Sequence, residues 1–283
     1  MATSQRAVLY PLPVEILEQI FVRAAEDELE QSKPWVAALT TTCRTVYRTV
    51  APILFRNVSL NAFNCARIAA AHAAASRGNS PFGLTRQLVV DSTDTFLDVE
   101  SFSSASQAFL AVDHFSGSLS DFISMAHSTA SMAKPATLVL LSLGCGTVIS
   151  GLPTSVTERT THLHLALGIE SDSAARSFFD ACTSEAFPNV THLILDTLVM
   201  HEDALRKHVL TFLARLPRLE RVLLRMRDVD NELRLIRAYC EENGETRIWY
   251  TRLMSDPLAA FYSQQRLFEH ERWLAGTHIS SSH

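Results

Sequence analysis

The chain has 283 residues, 47% of them hydrophobic and 19% charged, with a formal net charge of −5. That length allows one or two domains, and the apolar content excludes wholesale disorder. Charge is uneven: residues 1–60 hold 6 basic and 6 acidic groups, residues 61–200 hold 6 and 12, and residues 201–283 hold 13 and 12. The acidic middle argues against a nucleic-acid groove. The locally basic span 206–237 interleaves Arg with acids and reads as a solvated face. Five cysteines (Cys43, Cys65, Cys145, Cys182, Cys240) contain no CxxC pair, so neither a disulfide framework nor a structural zinc site is expected. Residues 1–6 are polar with no apolar run behind them, and no stretch reaches the roughly 20 apolar residues of a membrane span. The expectation is a reduced, soluble protein of the cytoplasm or nucleus.

In chain order, Leu12-Pro13 opens a helix, since proline at a first helical position loses no hydrogen bond. Ile16, Leu17, Ile20 and Phe21 then form an amphipathic stripe. The acidic run Glu26-Asp27-Glu28 reads as a solvated helix end or loop. A second helix is expected from Pro34, with Trp35, Leu39, Cys43, Val46 and Tyr47 near one side. Pro52 is expected to restart the chain before Ile53-Leu54-Phe55-Arg56.

This order, Leu12-Pro13-x-Glu15-Ile16-Leu17-x-x-Ile20-Phe21, then Trp35, Leu39, Cys43-Arg44, Tyr47, Ala51-Pro52 and Leu54-Phe55-Arg56, resembles an F-box. It is most similar to the fungal, basidiomycete-type variant, with Tyr47 where Trp is usual and an acidic segment lengthening the first inter-helix loop. The resemblance implies a three-helix module over 1–60 that docks a Skp-type adaptor of an SCF ubiquitin ligase. Leu12, Pro13, Ile16, Leu17 and Ile20 are the candidate adaptor contacts. Sixty residues with a wide apolar stripe close a core poorly alone, so a partner surface would complete the burial.

Beyond residue 60 the chain repeats itself. Phe187-Pro188-Asn189-Val190-Thr191-His192-Leu193-Ile194-Leu195 aligns with Leu216-Pro217-Arg218-Leu219-Glu220-Arg221-Val222-Leu223-Leu224, 29 residues on. Thr160 to Leu165 is a third copy, and Arg247 to Tyr250 reads as a last strand. Asn57–Leu60, Gln87–Val90 and Thr137–Leu140 are weaker early copies. The pattern resembles that of leucine-rich-repeat strands. Helices are expected between strands: from Asn61 to about Ser76, after Ser171 or Asp172, from His201 to Leu213, and from Asn231 to Asn243 with Gly244 as its stop. A last helix from Asp256-Pro257, carrying Phe261, Tyr262, Phe268 and Trp273, is expected to cap the open end. Asp91 to Ser104 reads as a polar, acidic loop and Ala105 to Ala133 as helical in part, either an irregular repeat or an excursion from the solenoid. The expected fold is therefore α/β: an all-α F-box, then a leucine-rich-repeat-like solenoid with a parallel sheet over 61–283.

Alternation along the strands divides their side chains. With Leu163, Leu165, Leu193, Leu195, Val222 and Leu224 inward, His162, His164, His192, Ile194, Arg221 and Leu223 point outward. The first five of that outward set are the candidate contacts for a target protein. The three histidines are expected as solvated, polar groups rather than metal ligands, and His164→Ala is expected to cost little stability.

Few motifs suggest catalysis. Leu138 to Gly146 runs an apolar strand into Gly144-Cys145-Gly146 and resembles the first motif of Rossmann-like S-adenosylmethionine methyltransferases, with Glu170 placed to accept ribose hydroxyls. Ser142 or Leu143 stands where that family has an acid, and Val148 where a third glycine is usual. No GxSxG elbow, P-loop or HExxH pair is present. The leading expectation is thus a non-catalytic substrate receptor with no cofactor or metal. Its partners would be a Skp-type adaptor with its cullin-RING ligase and an unidentified target protein, without nucleic acid or membrane. The alternatives are an F-box-like interaction scaffold outside SCF complexes, and the methyltransferase.

Overall fold

The structure, a computed structural model, describes residues 12–75, 80–91, 99–128, 134–140, 157–167, 187–197, 202–226, 233–252 and 270–279. The chain divides into two compact units, Met1–Asn57 and Val58–His283.

The first unit holds α1 (Val14–Glu28), α2 (Lys33–Leu39) and α3 (Arg44–Leu54). The Pro13 carbonyl accepts the N–H groups of Ile16 and Leu17 at 3.1 and 3.2 Å, so α1 begins where the proline allows it. Ala25, Val36, Val46, Val50 and Leu54 form the core, with Phe21 and Leu29 packed against it. The single helix expected from Pro34 to Tyr47 is in fact two. Three consecutive threonines end the first: the hydroxyls of Thr40, Thr41 and Thr42 donate to the carbonyls of Ala37, Ala38 and Leu39 at 2.6–2.8 Å. Their N–H groups donate to the same carbonyls at 3.1 Å, tightening the chain into i→i−3 bonds and stopping the α-helix. Pro52 does not restart the chain either; it lies inside the last turn of α3, where only one helical hydrogen bond is forfeited.

The second unit is a mixed α/β structure built on a nine-stranded sheet whose strands lie side by side in chain order. They are β1 (Asn57–Leu60), β2 (Gln87–Val90), β3 (His114–Gly117), β4 (Thr137–Leu140), β5 (His162–Leu167), β6 (His192–Thr197), β7 (Arg221–Met226), β8 (Ile248–Arg252) and β9 (Thr277–His278). Pairing is parallel from β2 through β8, and β9 closes antiparallel on β8. Parallel neighbours need crossovers. Those described here carry α4 (Cys65–Ala74), α5 (Val99–Ser106), α6 (Leu119–Ser128), α7 (Glu202–Arg215) and α8 (Arg234–Asn243).

All five crossover helices feed one core. Ile68, Phe102, Phe122, Phe212 and Ile236 share a buried cluster with Leu88, Phe115, Leu138, Leu163, Leu193, Val222 and Ile248. The helices therefore cover one face of the sheet. The aligned leucines are true register partners: Leu163 pairs with Leu193 and Leu193 with Val222. Successive strands are also locked at their N-terminal ends. Two consecutive N–H groups converge on one carbonyl of the preceding unit, as Thr161 and His162 do on Ala136 and Thr191 and His192 do on Thr161. The same fork recurs at Asp113/His114, Ala136/Thr137 and Glu220/Arg221, always at 2.8–3.1 Å. The hydroxyls of Thr161 and Thr191 add a third bond to their forks.

The reading of residues 91–135 is corrected in part. The described part of residues 91–135 holds α5, where a loop was expected as far as Ser104, and then a strand–helix unit, β3 and α6, as the irregular-repeat alternative has it. The expected helix starts at Ser171 or Asp172 and at Asp256-Pro257 fall outside the described residues. The described end of the chain holds a short helix, α9 (His270–Leu274), then β9. α9 lies on the face of the sheet opposite the crossover helices, placing Trp273 against Ile194 and Leu223. β9 pairs antiparallel with β8 at the sheet edge.

Candidate functional site

Two surfaces stand out, one in each unit. In the first, α1 turns Phe21, Ala25 and Leu29 toward the core and leaves the preceding apolar residues outside. Leu12, Ile16, Leu17 and Ile20 are 55%, 41%, 37% and 50% exposed, and Pro13 is exposed as well. Ile16 and Ile20 are one helical turn apart, so they share a face. Val14, Trp35 and Tyr47 are also exposed, and Cys43 is a free, exposed thiol. Among the described residues, seven of the eleven exposed large hydrophobics belong to residues 12–47, so the exposure is concentrated rather than scattered.

The second surface is the sheet face opposite the crossover helices. Register aligns Gln87, His114, Thr137, His162, His192 and Arg221 in one row across β2–β7. The next row runs Val89, Ser116, Val139, His164, Ile194, Leu223 and Trp249. A third holds Ala166, Asp196, Arg225 and Thr251. All five candidate target contacts lie on this face, as alternation requires. The expectation that the three histidines are solvated needs correction: His164 is 0% exposed and His162 and His192 are half-buried; of the other two, Ile194 is 1% exposed and Arg221 half-buried. Leu223, also assigned outward, is buried. α9 supplies part of the cover, a contact between residues far apart in the chain.

The half-buried row is ordered by stacking. The His162 and His192 rings lie 4.6 Å apart and 10° from parallel, and each Nδ1 is 2.9 Å from the hydroxyl of the threonine before it. The Trp273 indole meets His162 edge-to-face at 4.8 Å. The Arg221 guanidinium stacks 3.8 Å from the Trp249 ring centroid. Its Nη2 donates to the Leu274 and Ala275 carbonyls at 2.9 and 2.8 Å.

In the rows next to it lies a sealed ionic cluster. His164 Nε2 is 3.0 Å from Asp196 Oδ2, and Arg225 Nε is 3.4 Å from Asp196 Oδ1. Burial pushes the His164 imidazole down to about 4, against the pull of Asp196, so it is neutral near pH 7. Burial alone would raise the Asp196 carboxyl, but His164, Arg225 and Arg272 together hold it below its ordinary value, so it stays ionised. Both side chains are fully enclosed. Among the described residues no group of three His, Cys, Asp or Glu side chains is disposed to hold a metal ion.

Sequence reasoning missed Asp196, Arg225, Trp249 and Trp273. The first two occupy the same place in successive strands, directly after Leu195 and Leu224. Continuing the alternation one residue would have put them on this face. Gly144, Gly146 and Glu170 lie outside the described residues. No described helix is long and apolar enough to cross a membrane. No family model matches the chain, and no curated protein matches it.

Proposed function

We propose that this chain is a non-catalytic target receptor of an SCF-type ubiquitin ligase. Its N-terminal helices act as an F-box that docks a Skp-type adaptor, and its α/β unit acts as a leucine-rich-repeat-like solenoid that holds a target protein. One observation carries the reading: Leu12, Pro13, Ile16, Leu17 and Ile20, assigned to adaptor contact by the F-box resemblance, all stand exposed. Covering each of the four half-exposed aliphatic side chains is worth roughly 1 kcal/mol, which contributes to docking once a partner closes over them.

The mechanism is tethering. A target held on the α/β unit is kept near the ligase's charged conjugating enzyme, which raises its effective concentration without chemistry in this chain. The strand order supports the repeat reading over the S-adenosylmethionine-binding one. Doubly wound sheets bind nucleotide-like ligands where strand order reverses, and the order here runs without reversal, with its described crossover helices on one face.

Co-expression with a Skp-type adaptor tests the proposal. The expected result is a 1:1 complex that survives gel filtration and is lost in Leu17→Asp. A folded wild-type chain that leaves the adaptor behind would overturn it and favour a scaffold role outside SCF complexes.

A further inference from the structure

We infer that the sheet face over β5–β8 is a peptide-binding surface whose present occupant is the chain's own segment 270–279, and that a target enters by replacing it with a segment of like chemistry: a short helical turn bearing a tryptophan and ending at a glycine. This deepens the target-receptor reading and rests on it.

The contacts to the segment are of kinds that read a peptide. Arg221 donates to the carbonyls of Leu274 and Ala275, at the end of α9, where a helix leaves carbonyls without intrahelical partners and favours a cation. Trp273 is an aromatic anchor, 3% exposed, packed on Ile194 and Leu223 and edge-on to the His162 ring. Arg225 Nε from the sheet lies 3.4 Å from the buried Asp196 carboxylate, whose ionised form the charge of Arg272 also favours. Gly276 has φ 103°, and a Cβ there would come within 2.7 Å of both Leu223 Cδ1 and the Tyr250 carbonyl oxygen. The backbone at this point lies directly on the sheet. Thr277 and His278 then extend the sheet antiparallel to β8, which is how an added peptide strand is held in β-augmentation.

The chemistry of this face suits exchange better than permanent cover. The opposite face is closed by aliphatic and aromatic side chains. Here an ion cluster is buried beside the contact of Trp273 with Ile194 and Leu223; it stabilises less than a hydrophobic filling of the same volume but discriminates between occupants. Outside the contacts named, Glu271, Leu274, Ala275 and Gly276 remain exposed. A tethered segment competes at an effective concentration of about millimolar, so a free peptide binds measurably only when the tethered copy is weakened.

The test uses a fluorescein-labelled peptide of residues 270–279 and the full-length chain, read by fluorescence anisotropy. Gly276→Val displaces the tethered segment without altering the sheet side chains. It should bind the peptide at least tenfold more tightly than wild type. Adding Arg221→Ala in that background should remove most of the gain. Trp273→Ala, which leaves the backbone unstrained, provides a second route to the vacated face and should show the same pattern. Equal binding by wild type and both variants, insensitivity to Arg221→Ala, or failure of both single variants to fold cooperatively would overturn the inference; the last would make the segment an integral part of the unit. Adaptor co-purification is read separately: peptide exchange without adaptor binding would sink the receptor reading alone, and adaptor binding without exchange would sink only this surface.

Discussion

In the helical unit, Ile16, Leu17, Ile20, Trp35 and Tyr47 remain 37–50% exposed, whereas in the α/β unit Phe109, Phe115, Phe122, Phe187 and Phe212 are all within 1% of complete burial. The difference follows from size. A unit of nearly sixty residues encloses only about 60% of the surface its unfolded chain exposes, and its small core of Ala25, Val36, Val46, Val50 and Leu54 uses one side of α1. The nine-stranded sheet with helices along one face has volume enough to bury these five phenylalanines. Mutations should accordingly act on stability in the α/β unit and on association in the helical one.

The largest loss of stability is expected from Asp196→Ala. It removes the carboxylate between His164 and Arg225 and leaves buried positive charge uncompensated, at a cost of about 3–5 kcal/mol in urea denaturation. A loss under 1 kcal/mol would mean that the ionic cluster is not held as described. Leu193→Ala comes next, at about 2–5 kcal/mol, because its cavity opens in the centre of the shared core. The small cost expected from sequence for His164→Ala no longer stands, since the ring is enclosed beside Asp196.

Acid should act through the same histidine. Its folded-state value, about 4, lies below the ordinary 6.5, so the unfolded chain binds the extra proton first. Stability contributed by neutral His164 is complete above about pH 6.5 and is lost as pH falls toward 4. Between pH 7 and 5 the loss is roughly 2 kcal/mol, and Asp196, held low, adds its own loss only in stronger acid. His164→Gln should flatten the slope of unfolding free energy across that window; an unchanged slope would put the titration elsewhere. A smaller effect is expected at Gly244, which ends α8 with φ 63° in the left-handed region. Gly244→Ala should cost about 1 kcal/mol by thermal melting, although open space surrounds the position.

Much of the α/β unit was legible because two periods coincide. Alternation separated Leu163, Leu193 and Val222 from His162, His192 and Arg221, and the spacing of the copies gave the register that the sheet shows. β3 escaped because His114-Phe115-Ser116-Gly117 offers one large apolar residue in four. The 50 residues from Gln87 to Thr137 span two repeats and were the available signal. The break between α2 and α3 escaped because helical spacing continues through it, while the threonine hydroxyls that end α2 act locally. The cover over the second face had no local signal at all. Trp273 reaches Ile194 and Leu223 only after the chain has folded back, and alternation along a strand says which side a residue takes, not what lies above it.

The division of labour between the two units is tested most directly by titrating a Skp-type adaptor calorimetrically into wild type, Leu17→Asp and Arg221→Ala. Leu17 is exposed, so its substitution should change stability by no more than about 0.5 kcal/mol while removing measurable adaptor binding. Arg221→Ala, in the other unit, should bind the adaptor as wild type does. Binding that survives Leu17→Asp, or that falls equally in both variants, would contradict the assignment of docking to the exposed face of α1.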